Sequence, residues 1–262
     1  MEYVSYSIVI PAYNESDRIQ ESLAKIVAFL ADQQWTAEVL VVNDGSRDNT
    51  ADVVKQFAAE YRFIRLIENP GNRGKGYSVR NGMLQAVGDI VLFTDADLSA
   101  PITEAPKLFA EIEKGVDVAF GSRWLVAKMQ TERQSIMRQI AGRMYNVIMR
   151  IVLGLKFEDT QCGFKAFNRK ALETIFTRQH VERWGFDVEL LFLARKFGLK
   201  IEEVPVEWAH DDRSKINPLV DGIKMFGEML SIRWNSILGR YTNPHLPKPV
   251  VADTTPVVKI AK

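Results

Sequence analysis

Short β-branched apolar runs alternate with segments of helical period along the first half of the chain. This alternation predicts an α/β protein with a mostly parallel sheet flanked by helices. Two further observations support that class. Three of the apolar runs stop in polar clusters, as strands do when their carboxyl ends border a ligand cleft. The later half carries long amphipathic patterns that read as surface helices.

Residues 7–11 are a β-branched run closed by Pro11, a buried strand leading into a loop. Residues 17–33 place Ile19, Leu23, Ile26, Val27 and Leu30 at helical spacing, with Ser16 as the expected N-cap. Residues 38–42 form the next strand, stopped by Asn43-Asp44-Gly45-Ser46, a strong turn signal. A helix over 51–61, a strand over 63–67, a glycine-started helix over 74–87 and a strand over 89–94 follow. Beyond residue 116 the spacing predicts strands at 116–120, 163–167 and 201–208. It also predicts helices at 133–153, 186–197 and 219–238. From Tyr241 onward, Pro244, Pro247, Pro249 and Pro256 without periodicity read as a tail. The expected organisation is one domain over 1–240 and a proline-containing tail over 241–262. No internal repeat is found.

The 34 basic and 33 acidic residues leave a net charge of +1, which excludes a strongly basic polyanion binder, and no nucleic-acid partner is expected. A single cysteine excludes an internal disulfide and fits a reducing compartment. No signal peptide and no spanning run of about 18 apolar residues are read.

The polar clusters carry the chemistry. Asp95 and Asp97, at i and i+2 after a strand, project the same way and suit Mg²⁺ or Mn²⁺; a polar turn is the alternative. Asn72-Arg73-Gly74-Lys75-Gly76 opens a helix, where glycines admit a ligand and the helix start with its cations favours anions. It lacks the Walker spacing, and Val79 replaces the third glycine of a dinucleotide fingerprint, so a plain glycine turn stays open. Asp44 reads either as a turn residue or as an acceptor for a base or ribose.

Taken together, Ile8-Val9-Ile10-Pro11-Ala12-Tyr13-Asn14-Glu15, Val41 to Ser46, Asn72 to Gly76 and Asp95-Ala96-Asp97 resemble the family-2 glycosyltransferases of the GT-A fold, a Rossmann-like architecture. Gly121-Ser122-Arg123, Asp159 to Phe164, Glu182 to Glu189 and Ser214-Lys215 narrow the resemblance to the dolichyl-phosphate β-glucosyltransferases and, less closely, the dolichyl-phosphate mannose synthases. It runs in order from about residue 7 to 240.

The resemblance implies that Pro11, Tyr13, Glu15 and Asp44 hold the base and ribose of a nucleotide-sugar donor. Asp95 then stands near ribose and metal, and Asp97 ligates the metal. Ser99 replaces the glutamine of mannose synthases, which favours glucose. Arg123 and Arg138 match cations that face a lipid phosphate, although Gly142 replaces a hydroxyl residue of that site. Lys75 and Lys215 face the diphosphate. Asp187 is expected in the site as a group that positions sugar or acceptor, with a helix cap as the alternative. Trp184 and Cys162 are expected in the core, and His180 and His210 as structural residues.

The implied reaction is inverting, metal-dependent transfer of glucose from UDP-glucose to a polyprenyl (dolichyl-type) phosphate. The alternatives are a GDP-mannose donor or a polysaccharide or glycolipid acceptor. Between residues 128 and 156 lie six bases and one acid, beside an apolar stripe of Ile136, Ile140, Met144, Val147, Ile148 and Ile151. That stripe and the 219–238 helix are candidates for docking on a membrane surface, the alternative being helices packed on the sheet. The expectation is a peripheral protein on the cytoplasmic face of a membrane, with an anchoring partner as an option.

Overall fold

The computed structural model describes residues 4–125, 147, 149, 151–209 and 218–246. Its elements run β1 (Tyr6–Ala12), α1 (Ile19–Gln33), β2 (Ala37–Asn43), α2 (Thr50–Glu60), β3 (Ile64–Glu68), α3 (Lys75–Gln85) and β4 (Ile90–Thr94). After a short 3₁₀ turn (Ile102–Glu104) come α4 (Ala105–Glu113), β5 (Val118–Ser122), β6 (Phe164–Asn168), α5 (Arg169–Phe176), α6 (Phe186–Lys196), β7 (Ile201–Pro205) and α7 (Pro218–Ile237).

The strands form one sheet in the order β3-β2-β1-β4-β6-β5-β7. Neighbours pair in parallel except at β6, which runs antiparallel to both β4 and β5. The sheet is therefore mostly parallel and the expected α/β class holds. The chain steps outward from β1 to β2 and β3, then returns to place β4 on the other side of β1. That reversal opens a crevice at the carboxyl ends of β1 and β4, the position where such sheets bind ligands.

Strand residues alternate between two apolar layers, as the period of two dictates. Ile8, Ile10, Val39, Val41 and Leu92 pack into the layer of α1, α2 and α4. Val9, Leu40, Val42, Val91 and Phe93 pack into the layer of α3, α5 and α6. Burial on both faces explains why these strands read as continuous apolar runs instead of alternating ones.

Several local expectations need correction. Ser16 does not cap α1: residues 15–19 close a turn in which Arg18 N and Ile19 N both donate to Glu15 O, so Arg18 takes the cap position without making a side-chain capping bond. Ser16 N donates instead to Asp48 Oδ2 at 3.1 Å. Helices α4 and α5 were not foreseen. Ala105, Leu108, Phe109 and Ile112 form the buried stripe of α4. Asn168 caps α5 by accepting from Ala171 N at 2.8 Å. Strand β7 ends at Pro205, short of the expected 208, and Val206 N makes its last ladder bond, to Ser122 O. The start of the expected tail packs on the domain. Tyr241 is fully buried against His180 and Phe192, and His245 N and Leu246 N both donate to Thr177 O. The expected 133–153 helix, with most of the basic segment, lies outside the described residues, except for helical Val147, Met149 and residues 151–153.

Candidate active site

The three polar clusters converge at the crevice because their strands are neighbours. Asp44 follows β2 and is buried. Its Oδ1 accepts from Asn69 Nδ2 and Arg73 N, each at 2.9 Å, and its Oδ2 from Gly74 N at 2.8 Å. One carboxylate thus ties β2 to the loop that starts α3. Gly74 takes φ +112°, and a Cβ there would fall within 3.0 Å of Arg183 Cγ, so the loop packs directly on the 181–186 segment.

Lys75 opens α3 and reaches back across the crevice, its Nζ 2.6 Å from Asp95 Oδ1. Burial alone would lower its pKa, but the carboxylates of Asp95 and Asp187, with Asp97 behind them, hold it above the usual value. Asp97 accepts from Ser99 N at 2.9 Å and lies 3.7 Å from Arg18 Nη1. Burial, with the charge of Asp95 added, raises its carboxyl above the ordinary range. Arg18 also pairs with Glu15, so Glu15 and Asp97 share one guanidinium. Tyr13 and Glu15 are half-buried beside the end of β1, and Pro11 is buried within it.

Asp187 stands in the first turn of α6, not as its cap, which is Gly185. It accepts from Lys165 Nζ at 2.6 Å, and burial raises its pKa despite that ammonium. Arg123 follows β5 and forks onto Asp159, Nε to Oδ2 at 2.6 Å and Nη2 to Oδ1 at 2.7 Å. Its guanidinium also faces the Trp208 ring at 5.4 Å. Glu203 accepts from the backbone of Glu158 and Asp159 and so fixes the loop that carries this acceptor. Arg138 and Lys215 lie outside the described residues. The structure therefore brings Asp44, Lys75, Asp95, Asp97 and Asp187 to one crevice and places Arg123 at the end of β5, toward its far side.

The donor set suits a hard divalent cation. Asp95 and Asp97 offer carboxylate oxygens whose mutual repulsion a cation would relieve. Among the described residues no group of three or more His, Cys, Asp or Glu side chains is placed to hold a metal ion.

Four site residues escaped the sequence reading. Lys165 shows only as a lysine inside the apolar pattern Phe164-Lys165-Ala166-Phe167, which is itself the signal of a buried, paired charge. Asp159 lay in a quoted motif without a role. Arg18 has no sequence signal. Gly163 is small because a Cβ there would come within 2.6 Å of Asp95 Cγ. Trp184 does not fill the core as expected: it is half-buried, and Lys75 Nζ lies 5.7 Å from its ring. Cys162 is buried with its thiol pushed up to about 12 by burial, and His180 stacks on His245 at 4.1 Å. His210 lies outside the described residues.

Behind the crevice, Glu189 is fully buried and accepts from His180 N, Val181 N and, at 2.6 Å, Tyr241 Oη. Burial outweighs these donors and pushes its carboxyl up to about 7, from an ordinary 4.5. A raised folded pKa means that its favourable contribution is complete below pH 4.5 and is lost as pH rises through 7. The stability difference between wild type and Glu189→Gln is therefore expected to move by about 3 kcal/mol in favour of the variant between pH 4.5 and 8. Denaturant titrations across that range check it.

Comparison with known proteins agrees with this geometry. Residues 7–176 match the model of glycosyl transferase family 2. The chain is 37% identical over 261 residues to a dolichyl-phosphate beta-glucosyltransferase of Saccharomyces cerevisiae, covering 92% of this chain and 77% of that one. A Trichomonas vaginalis enzyme of the same name is 39% identical over 243 residues, covering 88% and 72%. Among solved structures, glucosyl-3-phosphoglycerate synthase from Mycobacterium tuberculosis, in complex with Mn²⁺, UDP-glucose and phosphoglyceric acid, superposes with a TM-score of 0.62 at 21% identity. That match covers 94% of this chain and 81% of the other, a likeness of fold. The sheet is thus that of a GT-A fold, and the chain belongs to glycosyltransferase family 2.

Proposed function

We propose that the protein transfers glucose, with inversion, from UDP-glucose to a polyprenyl phosphate of the dolichyl type. The observation that carries this reading is the 37% identity, over 92% of the chain, to a relative bearing that activity in its name. The crevice supplies the groups such a transfer needs.

A phosphate monoester has a second pKa near ~6, so the acceptor is largely dianionic at neutral pH and attacks the anomeric carbon without a strong general base. As the bond from that carbon to the diphosphate breaks, UDP leaves from the opposite face. Arg123 and Arg138 hold the acceptor phosphate, Arg123 being preoriented by Asp159. Asp44 shapes the loop beneath the nucleotide and, with Pro11, Tyr13 and Glu15, lines the base and ribose side. Lys75 and Lys215 face the diphosphate, and Lys75 is held ready by Asp95. Asp187 positions the sugar hydroxyls. Asp95 and Asp97 would hold Mg²⁺ or Mn²⁺, which neutralises charge on the departing diphosphate when bound. A thermal-shift panel tests the donor: UDP-glucose with Mn²⁺ is expected to raise the midpoint more than GDP-mannose, and the reverse order overturns the glucose assignment.

Among the described residues no helix is long and apolar enough to cross a membrane. Phe226, Leu230, Trp234 and Ile237 instead form an exposed stripe on α7, with Arg233 beside them, while Met229 and Ile232 face the core. This stripe rests on the cytoplasmic surface of the bilayer that holds the acceptor lipid, with or without an anchoring partner. The protein is expected to float with anionic liposomes, and Phe226→Asp with Trp234→Asp to stay at the bottom of the gradient.

A further inference from the structure

A lysine in the middle of a sheet is costly to bury. Lys165 lies in β6 with none of its side chain exposed. Its ammonium faces the rings of Phe93 and Phe120 at 5.5 and 6.0 Å. Two acceptors hold it, Cys162 O at 2.5 Å and Asp187 Oδ1 at 2.6 Å. An apolar residue of similar volume would serve the core at least as well as a buried ion pair, so core stability does not account for the ammonium.

What the ammonium does reach is the crevice, from behind and on two sides. Asp187 is only 5% exposed and stands in the first turn of α6. Cys162 precedes Gly163, whose backbone is pressed against the Asp95 carboxylate. One cation thus ties the carboxylate on α6 to the loop that supports the carboxylate after β4.

We propose that Lys165 is a positioning residue for glucosyl transfer, its ammonium fixing Asp187 toward the sugar and the 162–163 backbone against Asp95. The inference rests on the reading of Asp187 as a sugar-positioning group. Lys165 touches neither donor nor acceptor. It acts by removing the freedom of two groups that do face them, and its loss misplaces both while leaving the nucleotide contacts at β1 and β2 intact.

The test uses the full chain with UDP-glucose and polyprenyl phosphate, comparing Lys165→Met, Asp187→Asn and the double variant, with UDP affinity measured by calorimetry. Lys165→Met is expected to lower kcat about 100-fold, the scale of a small misplacement of reacting groups, at unchanged UDP affinity. The double variant is expected to be no slower than the slower single variant, since both changes remove one interaction. A Lys165→Met protein with a lower melting point but wild-type kcat, beside a slow Asp187→Asn, overturns the positioning role and leaves the reading of Asp187 standing. Wild-type kcat in Asp187→Asn overturns both. Additive losses in the double variant also overturn the proposal. Should the methionine variant fail to fold, Lys165→Gln takes its place, with a loss of about tenfold in kcat expected at unchanged UDP affinity. Wild-type kcat there overturns the inference.

Discussion

Asp97→Asn is expected to lower turnover by about 10³-fold or more while leaving the fold at least as stable as wild type. The two halves of this result have one cause. Asp97 is half-buried beside Asp95, and that burial with the neighbouring charge raises its pKa, so its carboxylate is disfavoured in the folded protein. Asparagine keeps an oxygen for the Ser99 N–H and removes the charge. Stability is then unchanged or improves by about 1 kcal/mol, a rise of about 2–4 °C in melting temperature for a domain of this size. The transfer reaction loses a cation-holding oxygen and the charge that Lys75 helps to balance. Steady-state rates and a melting curve on the same sample check both halves. A stable variant with wild-type turnover would remove Asp97 from the site.

Asp159→Ala is expected to act in the opposite sense on stability. Asp159 is fully buried, and the Arg123 guanidinium, despite the opposing effect of burial, holds its carboxyl below the ordinary range. Breaking such a pair leaves Arg123 without its forked acceptor and costs about 3 kcal/mol, the low end of the range because part of Arg123 reaches solvent. The melting temperature then falls by about 6–12 °C. A lowered folded pKa gives stability that is present above the unfolded value of 3.8 and lost as pH falls below it. The difference between wild type and variant should therefore shrink in acid. Arg123, no longer aimed, should also raise the KM for lipid phosphate more than the KM for UDP-glucose. Equal KM changes for both substrates would place Arg123 outside the acceptor side.

What could be read from the sequence followed from strand ends. Buried parallel strands advertise themselves as apolar runs, and their polar stops, Asn43 to Ser46 and Asp95 to Asp97, are local in sequence. The crevice was legible because the reversal at β1 brings those stops together. Residues whose role depends on pairing across the sheet were not. Lys165 meets Asp187 through the junction of β6 with α6, and Asp159 meets Arg123 across a loop from β5. Glu189 reads as an ordinary helix acid until Tyr241, from a segment taken for a tail, is seen to bond it. The Ser16 cap fails for a similar reason: Glu15 N and Ser16 N of the 15–19 turn donate to Thr50 and Asp48 from the start of α2 and the loop before it, which override local capping preference.

Glucosyl transfer to a lipid phosphate is read by following the sugar. Purified protein is incubated with labelled UDP-glucose, Mn²⁺ and a polyprenyl phosphate in detergent or vesicles. The expected result is a solvent-extractable β-glucosyl phospholipid, formed with one UDP released per glucose transferred. Label that stays in the aqueous phase, or a lipid product formed from GDP-mannose and not from UDP-glucose, would contradict the assignment.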